Sequence, residues 1–196
     1  MAYNIQNLRN CTPQLGRTYL FDANVWRFVV LAPPTVSFYH QNYINFFQRV
    51  YELATDETCD NKPKIFVNPI LLSEIFHACM NIHLGTFNEN EPVPIKIKAY
   101  RETNHHRVRK AALLSDFEIY KDGLVTTSEN VADCIDTLLG VPDFCDYADQ
   151  FYINTAQANN MIVVTMDSDF KFEDIEIVTA DRTLLQFIQG QVRGRN

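Results

Sequence analysis

Four acidic side chains stand where the apolar pattern around them should not carry acids. Asp22 ends the run "RTYLFD" (Arg17–Asp22), and Asp167 follows "MIVVT" inside "VVTMDSDF" (Val163–Phe170). Glu74 lies within the apolar stretch "PILLSEIFHACMNIHL", three residues after Leu71 and four before Ala78, at the border of a face that should be buried. Asp149 lies early in "DFCDYADQFYINTAQANN", four before Ile153 and seven before Ala156, on a face that should also point inward. An isolated buried carboxylate is costly and takes up a proton rather than stay charged. A divalent cation makes a group of them tolerable, and Mg²⁺ and Mn²⁺ are the ions that favour hard oxygen ligands. The chemistry open to such residues is therefore the holding of a hard cation, with Asp149 gaining from the dipole of a helix start.

The elements that must position these acids follow from periodicity. "RTYLFD" reads as a short buried strand, and "KIFVNP" (Lys64–Pro69) as a second, with Pro69 suited to a first helical position. "MIVVT" and "IEIVTA" read as two more strands, and "GLVTT" as a short one. Between them, "VSFYHQNYINFFQRVYELA" (Val36–Ala54) has helical spacing, with Phe38, Phe46, Val50 and Leu53 on one face and Pro33 and Pro34 at its entry. The Glu74 helix should bury Leu71, Ile75, Ala78, Cys79 and Ile82. Gly85–Pro94 reads as loop, and "IKIKAYRETNHHRVRKAALLSDFEIYKD" as largely helical. Ser128 is placed to cap "ENVADCIDTLLG", which Gly140 closes. The chain ends in the helix "DRTLLQFIQG" and a basic tail with Arg193 and Arg195.

Strands alternating with helices predict an α/β fold, a single domain over 1–196 with a mainly parallel sheet flanked by helices and loose ends at 1–16 and 190–196. In such sheets the functional crevice lies beyond the carboxyl ends of the strands, and Asp22 and Asp167 both stand there. No apolar run approaches a membrane span. The opening "MAYNIQNLRNCTPQLGR" has no apolar signal core, which predicts a cytoplasmic protein. Five cysteines without a CxxC pair argue against a disulfide framework or structural zinc; they read as reduced, with Cys79 and Cys134 in the core. The net charge of −7 is unlike that of a general nucleic-acid binder, so the distribution of charge has to decide.

No single acid is specific. Asp22 reads equally as a helix cap, Glu74 as a rim residue paired with a lysine, Asp143 and Asp146 as helix-start charges, and Asp169 as a turn residue. Their order and context are more telling. "YLFDANVW", then "NPILLSEI", then "DYADQFYINTAQANNMIVVTMDSDF" resemble the successive acidic motifs of PIN-domain nucleases, from Arg17 to about Phe187. The resemblance implies that Asp22, Glu74, Asp149 and Asp167 gather at one end of a parallel sheet and bind one or two Mg²⁺ or Mn²⁺ ions. Asn24 and Thr165 stand where supporting polar residues are found in that family. The chain departs from the compact toxin members by extra length at Gly85–Lys110. It also carries an additional aspartate, Asp146, one turn before Asp149, as a competing ligand.

The activity so implied is metal-assisted hydrolysis of RNA phosphodiesters, needing no His, Ser or Cys nucleophile. An antitoxin protein and a homodimer partner are expected by the same resemblance to toxin-type members. Phosphate binding is expected from "KIKAYRETNHHRVRK", which holds Lys96, Lys98, Arg101, Arg107, Arg109 and Lys110, six of the chain's 17 Lys and Arg. Tyr100 within it is expected to stack on an unpaired base. The competing reading is a PIN-like binding module that has lost catalysis, against which stands the presence of all four acids. A phosphatase or receiver-like protein is weaker, since six glycines form no phosphate loop.

Overall fold

A computed structural model describes residues 3–33, 35–127, 134, 136–137, 139–140 and 147–193, with side chains up to 187. Its strands are β1 (Asn4–Asn7), β2 (Thr18–Phe21), β3 (Lys64–Phe66), β4 (Leu124–Val125), β5 (Ile162–Val164) and β6 (Glu176–Thr179). Its helices are α1 (Ala23–Leu31), α2 (Phe38–Thr55), α3 (Pro69–Asn88), α4 (Ile97–Tyr100), α5 (Asn104–Tyr120), α6 (Tyr147–Ala158) and α7 (Arg182–Arg193). The strands form one sheet in the order β1-β6-β5-β2-β3-β4, every neighbouring pair parallel. The fold is α/β, as the alternation predicts.

A parallel sheet is covered on both faces, so its central strands should be apolar throughout rather than alternating. Ile162, Val163 and Val164 are all buried, as are Tyr19, Leu20 and Phe21 next to them. Polar caps end these runs. Asn68 Oδ1 accepts the Leu71 N–H at 2.7 Å, starting α3 with Pro69 in its first turn. Thr103 starts α5 by accepting the His106 N–H at 3.1 Å. Around α1 the core is aromatic: Trp26 lies 4.6 Å from Phe47 and about 6 Å from Phe117 and Tyr120 of α5. That wedge holds α1, and with it Asp22 at its head, between α2 and α5.

The chain leaves β2 toward β3 and β4 on one side, then returns as β5 on the other. The β2–β5 pair is therefore the topological switch point, where connections diverge and leave a crevice at the carboxyl edge. Tyr43 of α2 ties that edge together. Its hydroxyl donates to Thr165 O at 3.1 Å, accepts the Ala180 N–H at 2.7 Å and lies 3.1 Å from Thr179 Oγ1.

Several expectations are corrected. The first residues are not loose: Asn4–Asn7 pairs with β6, and Gln6 and Glu176 are joined at 2.8 Å. Helix α7 runs to Arg193, past the expected loose start at 190. Helix α3 continues to Asn88, through what reads as the start of a loop, and the following helical stretch is broken at 101–103. Phe38 is 74% exposed and Ile82 is exposed, because each lies off the face that its helix buries; Tyr43, Phe47 and Met80 are buried instead. Cys79 is in the core, Cys134 is half-buried, and Cys11, Cys59, Cys79 and Cys134 are free. Ser128, Asp143, Cys145 and Asp146 lie outside the described residues. Among the described residues no helix is long and apolar enough to cross a membrane.

Candidate functional site

Asp22 and Thr165 each follow the last residue of one strand of the switch pair. Asp22 is the residue before α1 and accepts that helix's Asn24 N–H at 3.2 Å, so the cap reading is true of it. It does more than cap. The Asn24 side-chain amide donates to its second oxygen at 3.3 Å, and the Thr165 hydroxyl donates to the same oxygen at 2.9 Å. Thr165, fully buried, in turn accepts the Asp167 N–H at 2.9 Å. One threonine thus spans the switch point and fixes where both acids stand. Asp167 is half-exposed, and its Oδ1 accepts the Asp169 N–H at 2.8 Å, which leaves Asp169 in a turn at the rim.

Glu74 sits in the second turn of α3, half-buried. Its Oε2 accepts a 2.6 Å hydrogen bond from the hydroxyl of Tyr152 on α6. Tyr152 stands one helical turn after Asp149. Burial first, then the Glu74 carboxylate, push its hydroxyl far above the usual phenol range, and the charges of Asp22 and Asp149 add to the effect. The structure therefore brings Asp22, Thr165 and Asp167 together directly, and separately ties Glu74 to Tyr152 of α6, the helix that carries Asp149. Asp146, the competitor of Asp149, lies outside the described residues. Tyr152 is the site residue that the sequence reading missed. The signal was present in "DYADQFY", where Asp149 and Tyr152 share a helix face.

Burial raises the pKa of Asp22, and the Asp167 charge raises it further; hydrogen bonds from Thr165 and Asn24 work in the opposite sense. A carboxyl with a raised folded-state pKa stabilises the fold fully below its unfolded value, here near 3.8, and loses that contribution as pH rises through the folded value. Metal-free wild type should therefore lose stability relative to Asp22→Asn as pH is raised from about 4, until Asp22 is fully ionised. Melting temperatures of both proteins in EDTA across this range check the sign. A difference that is flat with pH would mean that Asp22 is not electrostatically strained.

The donor set is all carboxylate oxygen, with hydroxyls and amides behind it, which suits Mg²⁺ or Mn²⁺ rather than a soft ion. Among the described residues no group of three or more His, Cys, Asp or Glu stands arranged to hold a metal. The fit is to an ion that takes one or two carboxylates and completes its shell with water and substrate oxygens, as Mg²⁺ does.

The basic segment lies elsewhere. Lys96, Lys98, Arg101, Arg107, Arg109 and Lys110 are all exposed. Tyr100 among them is fully buried, 5.4 Å from Phe87, with its hydroxyl 2.8 Å from His105 Nδ1. The expected stacking of Tyr100 on a base is thus corrected: an aromatic flanked by cations is drawn into the nearest apolar contact. Phe87 marks this level on α3, and the helical rise from Glu74 to Phe87 is about 20 Å. Tyr100 therefore stands near the far end of α3 from Glu74, and Arg109 lies part-way back, beside His83.

No protein-family model, no curated protein and no solved structure matches this chain.

Proposed function

We propose that this protein is a Mg²⁺- or Mn²⁺-dependent endoribonuclease. The observation that carries the reading is the Thr165 bridge, which fixes Asp22 and Asp167 on opposite sides of the switch point of a parallel sheet. Asp22 and Asp167 would be the direct ligands. Glu74 and Asp149 would bind directly or through water, with Tyr152 holding Glu74 in place. A bound divalent ion would supply Lewis-acid polarisation of the phosphate and a water of lowered pKa. The chain's own part is positional: Asn24 and Thr165 orient Asp22, and the exposed cations at 96–110 attract the RNA backbone at a distance. A toxin held by an antitoxin, acting as a homodimer, is the narrower form of this proposal.

The test is a labelled RNA pool incubated with the protein in Mn²⁺, Mg²⁺ or EDTA, beside melting curves in the same buffers. Cleavage that needs the ion, and a melting temperature raised by it through mass action on the folded state, are the expected results. The second reading, a catalytically silent binding module, draws on the lack of a ready three-ligand group among the described residues. It takes over if RNA is retained but not cut under any of these conditions.

A further inference from the structure

A second concave surface lies on the outer side of α2. A groove of about 440 Å³ runs between that helix and the residues after β1. Arg9, Asn42, Asn45, Gln48 and Arg49 line it over the buried Leu8, and no described carboxylate does. In a chain of net charge −7, a concave surface with two guanidiniums and no acid marks a place for an anion. The rest of the lining is amide. Asn45 accepts from Gln41 at 2.8 Å through its oxygen, which leaves its NH₂ as a donor, and Gln48 is exposed.

Beside the lining residue Asn42, whose amide donates to its carbonyl at 2.8 Å, stands Phe38, the most exposed aromatic of α2 at 74%. The Arg9 guanidinium lies 5.7 Å from the centre of its ring. An aromatic face beside a cation is how bases of unpaired nucleic acid are held. At the other end, Arg49 lies 5.5 Å from the buried Phe46 ring and donates to Cys11 O at 3.5 Å, so its guanidinium is braced.

The Asn42 end of the groove is the one nearer the acids, since the next residue, Tyr43, donates to Thr165 O. Asn7 at the end of β1 is in register with Thr179, whose hydroxyl meets Tyr43, the neighbour of Asn42 in α2. Strands β1 and β2 are three places apart in the sheet, which is about 14 Å along the same edge. We infer that this groove binds a short single-stranded RNA tract, with phosphates on Arg9 and Arg49 and a base stacked on Phe38, and leads the strand to the Asp22–Asp167 cleft. The choice of RNA as ligand rests on the nuclease reading; the groove itself does not.

The test is fluorescence anisotropy of a labelled oligouridylate of about ten nucleotides, with the full chain in EDTA so that nothing is cut. Arg9→Ala with Arg49→Ala should weaken binding at least about tenfold and flatten the slope of log K against log salt by about 1.4, or about 0.7 for each phosphate left without its arginine. Phe38→Ala should weaken it about 5- to 100-fold with the salt slope unchanged, and Phe38→Trp should restore it. Unchanged affinity in all these variants overturns the inference, as does a loss seen only when Lys96, Arg107 and Arg109 are replaced. If poly-glutamate binds the groove and RNA does not displace it, the occupant is an acidic protein segment and the inference also falls. If RNA binds as described but is not cut once Mn²⁺ is added, the groove stands and the nuclease reading fails.

Discussion

Asp167→Asn is expected to bind RNA as well as wild type, or better, and to cut it about 10³-fold more slowly. The fold should survive the change. The Asp167 backbone N–H, which holds the residue on Thr165, is untouched, and an asparagine Oδ1 can still accept the Asp169 N–H. What disappears is one negative oxygen at the crevice. Ground-state binding gains from that, because the cleft repels phosphate less. On the proposed function, Asp167 would be a ligand to the ion that stabilises the developing charge, and its loss would cost about 4 kcal/mol, or a factor of about 10³. An interaction lost only in the transition state lowers turnover without weakening affinity. Arg107→Ala with Arg109→Ala should do the reverse, since both residues are exposed on α5 and neither makes a hydrogen bond to one of the four acids. Binding should weaken with a shallower salt dependence, and turnover at saturating RNA should change little. The assay scores retention and cleavage of one labelled RNA pool. Cutting by Asp167→Asn at the wild-type rate refutes hydrolysis at this site.

Tyr43→Phe is expected to destabilise the protein by about 2–4 kcal/mol, although it removes a single oxygen. The ring is fully buried and stays. The Ala180 N–H and the Thr165 carbonyl lose their partner at a place that water does not reach, while the Thr179 hydroxyl keeps the Asp181 N–H. Each buried polar group left unsatisfied costs about 1–3 kcal/mol, and relaxation of the neighbouring Tyr39 hydroxyl, 3.3 Å away, offsets part of the sum. Urea unfolding of the two proteins measures the difference. Because Thr165 carries both Asp22 and Asp167, the variant should also cut more slowly at temperatures where it is still folded. Stability and turnover equal to wild type would show that α2 does not hold the carboxyl edge.

The local elements were legible because short parallel strands are apolar throughout and stop at polar residues. "YLF" and "IVV" could be read in that way, and so could the acids just past them. Asn68 and Pro69 marked the start of α3 by the same local chemistry of capping. Strand β1 was not legible. "NIQN" is polar, and it is a strand only because it pairs with β6 about 170 residues away and Glu176 takes up the amide of Gln6. Helix α1 was also missed, since "ANVWRFVVL" is rich in β-branched and aromatic residues and its helical state depends on the Asp22 cap and the wedge around Trp26. Phe38 and Tyr100 were each read on the wrong side of the surface. Periodicity gives the face of a helix, but which neighbours pack on that face is decided elsewhere in the chain.

The sequence by itself determined the alternation of strands and helices, the four acids and their order along the chain. Those are local matters of side-chain type and period. Only the tertiary structure decided that β2 and β5 lie side by side with the chain departing in opposite directions, which puts Asp22 and Asp167 across one crevice. It alone placed the Thr165 hydroxyl between them, and the Tyr152 hydroxyl 2.6 Å from a carboxylate 78 residues earlier in the chain. Hydrogen bonds of that separation leave no periodic trace in a sequence, because their partners are chosen by the packing of whole elements and not by their neighbours along the backbone.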